Sequence, residues 1–236
     1  MKHIVVFLAF ENFDIIKTSF DSIKIADADF FVIENQSQNS NIIKEYFLNQ
    51  NLKGYIQFQE NAAANAMNIF IRDYYDLLSE YDYITFTDGD IFCHNINDTF
   101  NEIFEQFHNT NCIISSCDLW LGNLYTNQIK KGINDYVIDM NNNVKNNNNI
   151  GQTGNTLVTL KNSHLYLLRD IHYVDTIINS KIETIGGIWY RTTKNIAYHL
   201  TWDLYVDGNK YYEWKKQVYP QIWDKTDRNF IYNVLI

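Results

Sequence analysis

Tyr81 to Phe92 reads YDYITFTDGDIF. Its first half mixes aromatic and β-branched residues in the manner of a strand. It then runs into two aspartates, Asp88 and Asp90, separated by Gly89 alone. In an extended segment, side chains two residues apart point the same way, so both carboxylates can reach one ligand. Two such groups about 5 Å apart stay ionised together only with a cation between or beside them. Gly89 is expected to leave room for that ion and to permit unusual backbone angles. Hard oxygen ligands at this density suit Mg²⁺ or Mn²⁺, especially where substrate phosphates complete the shell. The competing reading is an Asp-Gly-Asp turn that caps the next helix.

Upstream, His3 to Phe10 (HIVVFLAF) is a nearly continuous apolar run, as in a strand covered on both faces. Phe13 to Ala26 has a roughly helical spacing of apolar residues, and Phe30 to Ile33 is a second apolar run. Asn41 to Leu48 reads as a helix and Tyr55 to Phe58 as a third strand. Ala62 to Leu78 reads as one long helix, and Tyr83 to Thr87 is the fourth strand. This alternation is the signature of parallel βαβ units, and right-handed crossovers give a doubly wound sheet. Ligands of such sheets sit outside the carboxyl ends of the strands. Glu11, Glu34 and Asp88 fall at three of those ends, which points to one shared cleft.

Downstream the order is less regular. Asp98 to Phe107 reads as a helix, and Cys112 to Ser116, Asn155 to Leu160 and Ile196 to Tyr205 as strands. Ser163 to Leu168 and Val174 to Ile178 read as short helices. The asparagine-rich tract from Asn141 to Asn149 reads as a loop. One α/β domain over 1–236 is the simplest reading, with a nucleotide-binding half in 1–92 and an acceptor-side half in 93–236.

The 236 residues carry 19 basic and 28 acidic side chains, a formal net charge of -9. A surface of that sign repels phosphate backbones and argues against nucleic acid as a partner. An anionic ligand would need a local cation. Cys93, Cys112 and Cys117 form neither an even framework nor a CxxC pair, so reduced thiols and a cytoplasmic location are expected. No segment approaches the roughly 18 apolar residues that span a bilayer.

TDGD (Thr87 to Asp90) resembles the DxD motif of GT-A-type, family 2-like glycosyltransferases, which holds a divalent metal against a sugar-nucleotide diphosphate. Other pieces follow in the family's order. FLAFEN (Phe7 to Asn12) is similar to the first strand and the turn bordering the nucleoside. VIENQSQN (Val32 to Asn39) is similar to the second strand end, whose first acid contacts the base. ENAAANAMN (Glu60 to Asn68) resembles the start of a family helix, without its glycine and one residue short between asparagines. GNTLVTLKN (Gly154 to Asn162) looks like the strand near the acceptor cleft. AYHLTWD (Ala197 to Asp203) looks like the late segment whose histidine completes the metal shell.

The resemblance implies a GT-A, Rossmann-like fold with a central, mostly parallel sheet flanked by helices. It implies a metal-dependent transfer of a sugar from a nucleotide-diphosphate donor, UDP favoured, to a glycan or other hydroxyl acceptor. It places Asp88, Asp90 and His199 on Mn²⁺ or Mg²⁺, the imidazole tilting the choice to Mn²⁺. Ala9, Phe10, Glu11, Glu34, Asn61, Asn65 and Asp88 fall to the nucleotide, and Gly89, Trp189, Arg191 and Trp202 to the donor sugar and diphosphate. Glu183, Asp175 and Asp118 are the carboxylates that could deprotonate an acceptor. Two rival readings stand beside it: a nucleotidyltransferase, and a catalytically silent carbohydrate-binding or assembly protein of the same fold.

Overall fold

The computed structural model describes residues 1–37, 39–62, 65–120, 156–168, 181–182, 184–200, 213 and 230–236. Strand β1 (His3–Ala9) lies between β2 (Asp29–Glu34) and β4 (Tyr83–Asp88), parallel to both. Strand β3 (Gly54–Phe58) continues the parallel set beside β2. The crossovers hold α1 (Phe13–Ile23), α2 (Ser40–Leu48), α3 (Asn65–Asp73) and the short α4 (Tyr75–Leu78). The single helix expected over Ala62 to Leu78 is therefore two, broken at Tyr74. The ring of Tyr74 stacks on Phe70 with centroids 4.8 Å apart.

After β4 the chain turns at Gly89 and Asp90 into β5 (Ile91–Cys93), then α5 (Ile96–Gln106) and β6 (Cys112–Trp120). Next come β7 (Val158–Lys161), a 3-10 helix (Asn162–Leu168), β8 (Ile188–His199) and β9 (Tyr232–Val234). Among the described residues, nine strands form one sheet in the order β5-β8-β6-β7-β4-β1-β2-β3-β9. Strand β7 is antiparallel to β4 and β6, β5 to β8, and β9 to β3, while β6 and β8 run parallel. The sheet is thus mixed and mostly parallel in its N-terminal part, as expected. Pairing of β9 with β3 ties the end of the chain to its N-terminal half.

Apolar side chains leave β1 on both faces, which is why its run is continuous rather than alternating. Ile4 and Val6 pack with Met67, Ile69 and Phe70 of α3 on one face. Val5 and Phe7 pack with Ile16 and Phe20 of α1, Phe47 of α2 and Phe100 of α5 on the other. Burying both faces removes enough apolar area to make β1 the centre of the core.

One further expectation shifts. The strand expected from Ile196 begins earlier, at Ile188, and is described as far as His199; positions 201–205 lie outside the described residues. The three-residue strands β5 and β9 are too short to carry a periodic signal. The helix expected over Val174 to Ile178 and the tract from Asn141 to Asn149 also lie outside the described residues. Among those described, no helix is long and apolar enough to cross a membrane, and all three cysteines are free and buried.

Candidate functional site

Parallel pairing delivers the acidic strand ends side by side. Leu8 stands opposite Asp88, and Ala9 opposite Glu34. The carboxyl ends of β4, β1 and β2 are therefore adjacent, with Glu11 just beyond β1. The backbone here is bent in two places. Glu11 has φ 61° and Gln36 has φ 55°, in the left-handed region that non-glycine residues seldom occupy. Such strain gathers at ligand sites more often than elsewhere. Ser37 ties the two bends together, because its Oγ accepts the Glu11 N–H at 2.8 Å.

Glu34 is fully buried. Its Oε1 accepts the Ser37 N–H at 2.6 Å and the Ser40 hydroxyl at 3.4 Å. Its Oε2 has no partner among the described residues, a costly state for a buried carboxylate oxygen. The next residue, Asn35, carries no signal of its own in the sequence, although it lies inside VIENQSQN. Its Oδ1 accepts the Ala62 N–H at 2.8 Å, and its amide donates to Asn61 Oδ1 at 3.1 Å. Asn61 is thereby held at the end of β2, on the approach to α3. Asn65 opens α3 and is nearly buried, its N–H donating to the Ala62 carbonyl at 3.0 Å.

The extended Asp-Gly-Asp expected at the end of β4 is instead a bend. Asp88 closes the strand, and Gly89 and Asp90 form the turn into β5. Gly89 lacks a positive φ, so special backbone angles are not its reason. A Cβ there would sit 2.7 Å from the Leu8 carbonyl oxygen, so glycine is needed for close approach to β1. The turn brings Asp90 to His199. Its Oδ2 lies 3.7 Å from His199 Nε2, and both side chains are about four-fifths covered, at 22% and 17% exposure. Backbone pairing enforces the meeting: Ile91 stands opposite His199, and the Leu200 N–H donates to the Asp90 carbonyl at 2.8 Å.

Other candidates divide. Asp118 on β6 arrives near the level of Asp88, because Ser115, Thr159 and Thr85 share one row across β6, β7 and β4. Its N–H donates to Thr192 Oγ1 at 2.9 Å. Arg191 pairs with Ser116 and sits about two residues short of that level. Trp189 pairs with Ile114, which shares the row of Ile84. That is four residues, roughly 13 Å, before Asp88 along the strand direction. Its indole N–H donates to Ser116 Oγ at 2.8 Å and its ring packs on the core. The structure places Trp189 in packing and does not bring it to the strand ends. Asp175, Glu183 and Trp202 lie outside the described residues. Among those described, no group of three His, Cys, Asp or Glu side chains forms a ready-made metal cage.

Glu102 is a further residue that the sequence motifs do not single out. This α5 residue is 6% exposed. Its carboxylate accepts the N–H groups of Thr193, Lys194 and Asn195 at 2.6, 3.0 and 2.9 Å. Burial alone would raise its pKa, but these backbone donors and the Asn195 amide outweigh that and hold it below the ordinary value. One signal is present in the sequence: Glu102 falls among the buried helical positions Ile96, Thr99, Phe100 and Ile103.

No protein-family model matches the chain. An uncharacterized protein of Acanthamoeba polyphaga mimivirus is 31% identical over 92% of this chain and 47% of the relative. The chain thus spans about half the length of that curated relative. Among solved structures, a mannosyltransferase from Pyrobaculum calidifontis in complex with GDP-Man and Mn²⁺ superposes with a TM-score of 0.61. It is 14% identical, over 97% of this chain and 64% of that one. Glucosyl-3-phosphoglycerate synthase from Mycobacterium tuberculosis, in complex with Mn²⁺, UDP and phosphoglyceric acid, gives 0.52 at 11% identity, over 84% and 70%. Strand order, acidic strand ends and these likenesses agree: the chain has the GT-A-type fold of nucleotide-diphospho-sugar glycosyltransferases.

Proposed function

We propose that this chain is a metal-dependent glycosyltransferase, moving a sugar from a nucleotide-diphospho-sugar to a hydroxyl acceptor such as a glycan. One observation carries the reading. The turn after β4 sets Asp90 within 3.7 Å of His199, beside the strand ends that present Asp88, Glu11 and Glu34. The donor set fits Mn²⁺, or less well Mg²⁺: carboxylate oxygens from Asp88 and Asp90, with an imidazole nitrogen from His199. Such ions rest on one or two carboxylates and take further ligands from substrate phosphates. A pre-built cage of three side chains is therefore not required. When bound, the ion supplies Lewis-acid stabilisation to the diphosphate as it leaves.

The chain's own residues take the remaining tasks. Glu34 Oε2 is the acceptor left over for an N–H of the nucleobase, reached once the Asn35–Ser37 turn shifts. Asn61 and Asn65, together with Ala9, Phe10 and Glu11, are assigned to the nucleotide. Arg191, Trp202 and the Gly89 backbone are assigned to the donor diphosphate and sugar. Asp118, at the level of Asp88, is a candidate to accept the acceptor's hydroxyl proton, alongside Asp175 and Glu183.

The test is thermal stability with UDP, GDP or dTDP, each with and without Mn²⁺, followed by donor cleavage. Melting should rise only with nucleotide and metal together, UDP giving the first shift to seek. Asp90→Ala should keep the wild-type melting temperature, lose that shift, and lower metal-dependent donor cleavage by on the order of 10³-fold. Undiminished Mn²⁺-dependent cleavage in Asp90→Ala would remove the reading. Silence with every common donor would instead favour a carbohydrate-binding or assembly protein.

A further inference from the structure

Strand β8 is not continuous in its pairing. Arg191 stands opposite Ser116, but Ile196 stands opposite Asp118. Residues 192–195 on β8 thus face Cys117 alone on β6, and the chain bulges. Thr192 closes the bulge from within, its hydroxyl donating to the Asn195 carbonyl and accepting the Asp118 N–H. From outside, three successive backbone N–H groups, those of Thr193, Lys194 and Asn195, converge on the Glu102 carboxylate. The Thr193 hydroxyl and the Asn195 amide add donors at 3.2 and 2.8 Å. Successive N–H groups aimed at one point form an anion nest, here filled by a side chain of the same protein. The Asn195 amide also reaches the Asp98 carbonyl at 3.3 Å, a second tie to α5.

The residues just past the bulge lead directly into the site. Among the described residues, Ala197, Tyr198 and His199 supply the ladder of β5, which stands at one edge of the sheet. The path of β8 beyond residue 195 therefore sets His199 and also the segment that Asp90 leads into. Helix α5 begins three residues after β5 ends, so Glu102 and Asp90 lie on one short stretch of chain. The carboxylate closes a loop from the aspartate turn, through α5, to the bulge and on to the histidine.

We infer that Glu102 is a positioning residue for the proposed cation site: its carboxylate pins the β8 bulge so that His199 meets Asp90. This rests on the reading of Asp90 and His199 given above. Glu102 touches neither the ion nor the donor, and acts through the backbone between residues 193 and 199. Glu102→Gln keeps the shape of the side chain, yet turns an NH₂ group toward backbone N–H donors that need an acceptor.

The test measures Mn²⁺ affinity in the presence of UDP, by calorimetry or by Mn²⁺ electron paramagnetic resonance, in wild type, Glu102→Gln, His199→Ala and the double variant. Glu102→Gln should weaken Mn²⁺ by roughly tenfold, the range of residues that orient metal ligands. In the His199→Ala background the same change should cost little more, because its effect passes through the histidine. Wild-type Mn²⁺ affinity in Glu102→Gln, or full additivity in the double variant, overturns the positioning role and leaves a fold staple. Wild-type affinity in His199→Ala overturns the cation-site reading, and this inference with it. Should Glu102→Gln fail to fold, Asn195→Ala removes one leg of the clamp and should weaken Mn²⁺ in the same direction; unchanged affinity there also counts against the inference.

Discussion

From β1 to β4 the strand ends that carry Ala9, Glu34 and Asp88 are set by parallel ladders with apolar residues on both faces. From β5 to β8 the ladders are short or broken, and individual polar side chains do the placing: Glu102 on the bulge, Thr192 inside it, Asp90 against His199. The first region would place its acids wherever the apolar pattern is preserved. The second depends on single hydrogen bonds in low dielectric, each dear to lose once buried. The two regions meet at Gly89.

One buried group lets the parallel half be perturbed from the end of β1 away from Asp88 and Glu34. His3 in β1 is 4% exposed and shares a 2.8 Å hydrogen bond with Thr85 Oγ1, which in turn meets Thr159 Oγ1 at 2.7 Å. Phe100 and Phe104 stand edge-on against its ring. Burial pushes its pKa down from 6.5 to about 3. Above pH 6.5 both folded and unfolded chains hold it neutral, and the stability is whole. Between pH 6.5 and 3 the unfolded chain takes a proton that the folded one refuses, so stability falls as pH falls, by at most about 1.4 kcal/mol per unit. His164, lowered by burial and by Lys161, adds in the same direction. Denaturant unfolding at pH 7, 6 and 5 should show this loss, and His3→Gln should flatten it. An unchanged slope in His3→Gln would mean that the parallel half does not depend on this neutral histidine.

The contrast also explains how much of the molecule is legible in its residues. A strand buried on both faces writes itself as a run such as IVVF, and a βαβ series fixes where its ends must lie. Hence the neighbourhood of Glu34 and Asp88 is legible in the sequence. The three-residue ladder of β5 has no period to detect, and a bulge of residues 192–195 leaves no mark in hydropathy. His199 could be proposed only through resemblance, and the position of Glu102 among the apolar residues of α5 is a weak signal, because an acid in a helix usually faces water. Trp189 is the opposite case: a flat ring can serve a sugar, but here its N–H meets a hydroxyl on β6 and its ring packs on the core, the commoner use of a tryptophan.

The seam between the two regions is open to a direct blow. Gly89→Ala places a Cβ 2.7 Å from a backbone oxygen of β1, an atom that cannot swing aside. The turn must then move away from Leu8, carrying Asp88 and Asp90 with it. Overpacking of this kind costs roughly 1–3 kcal/mol, to be read from the urea midpoint. If the regions are as interdependent as the Asp90–His199 contact indicates, Mn²⁺ affinity should drop in the same variant. A midpoint shift with intact Mn²⁺ binding would show that the site tolerates displacement of its own turn.

The smallest effect asked for is a change of sign. Glu11 holds φ 61° at the end of β1, a conformation that glycine adopts freely and glutamate does not. Glu11→Gly should therefore relieve strain, offsetting the entropy glycine adds to the unfolded chain, and raise stability by up to about 1 kcal/mol. Glu11→Ala keeps the strain and removes the carboxylate, so it should gain nothing. If the bend exists to hold the Glu11 side chain at the nucleotide, both variants should bind UDP with Mn²⁺ more weakly than wild type. Stabilisation by glycine together with weaker nucleotide binding would show local strain retained for a ligand at the end of β1.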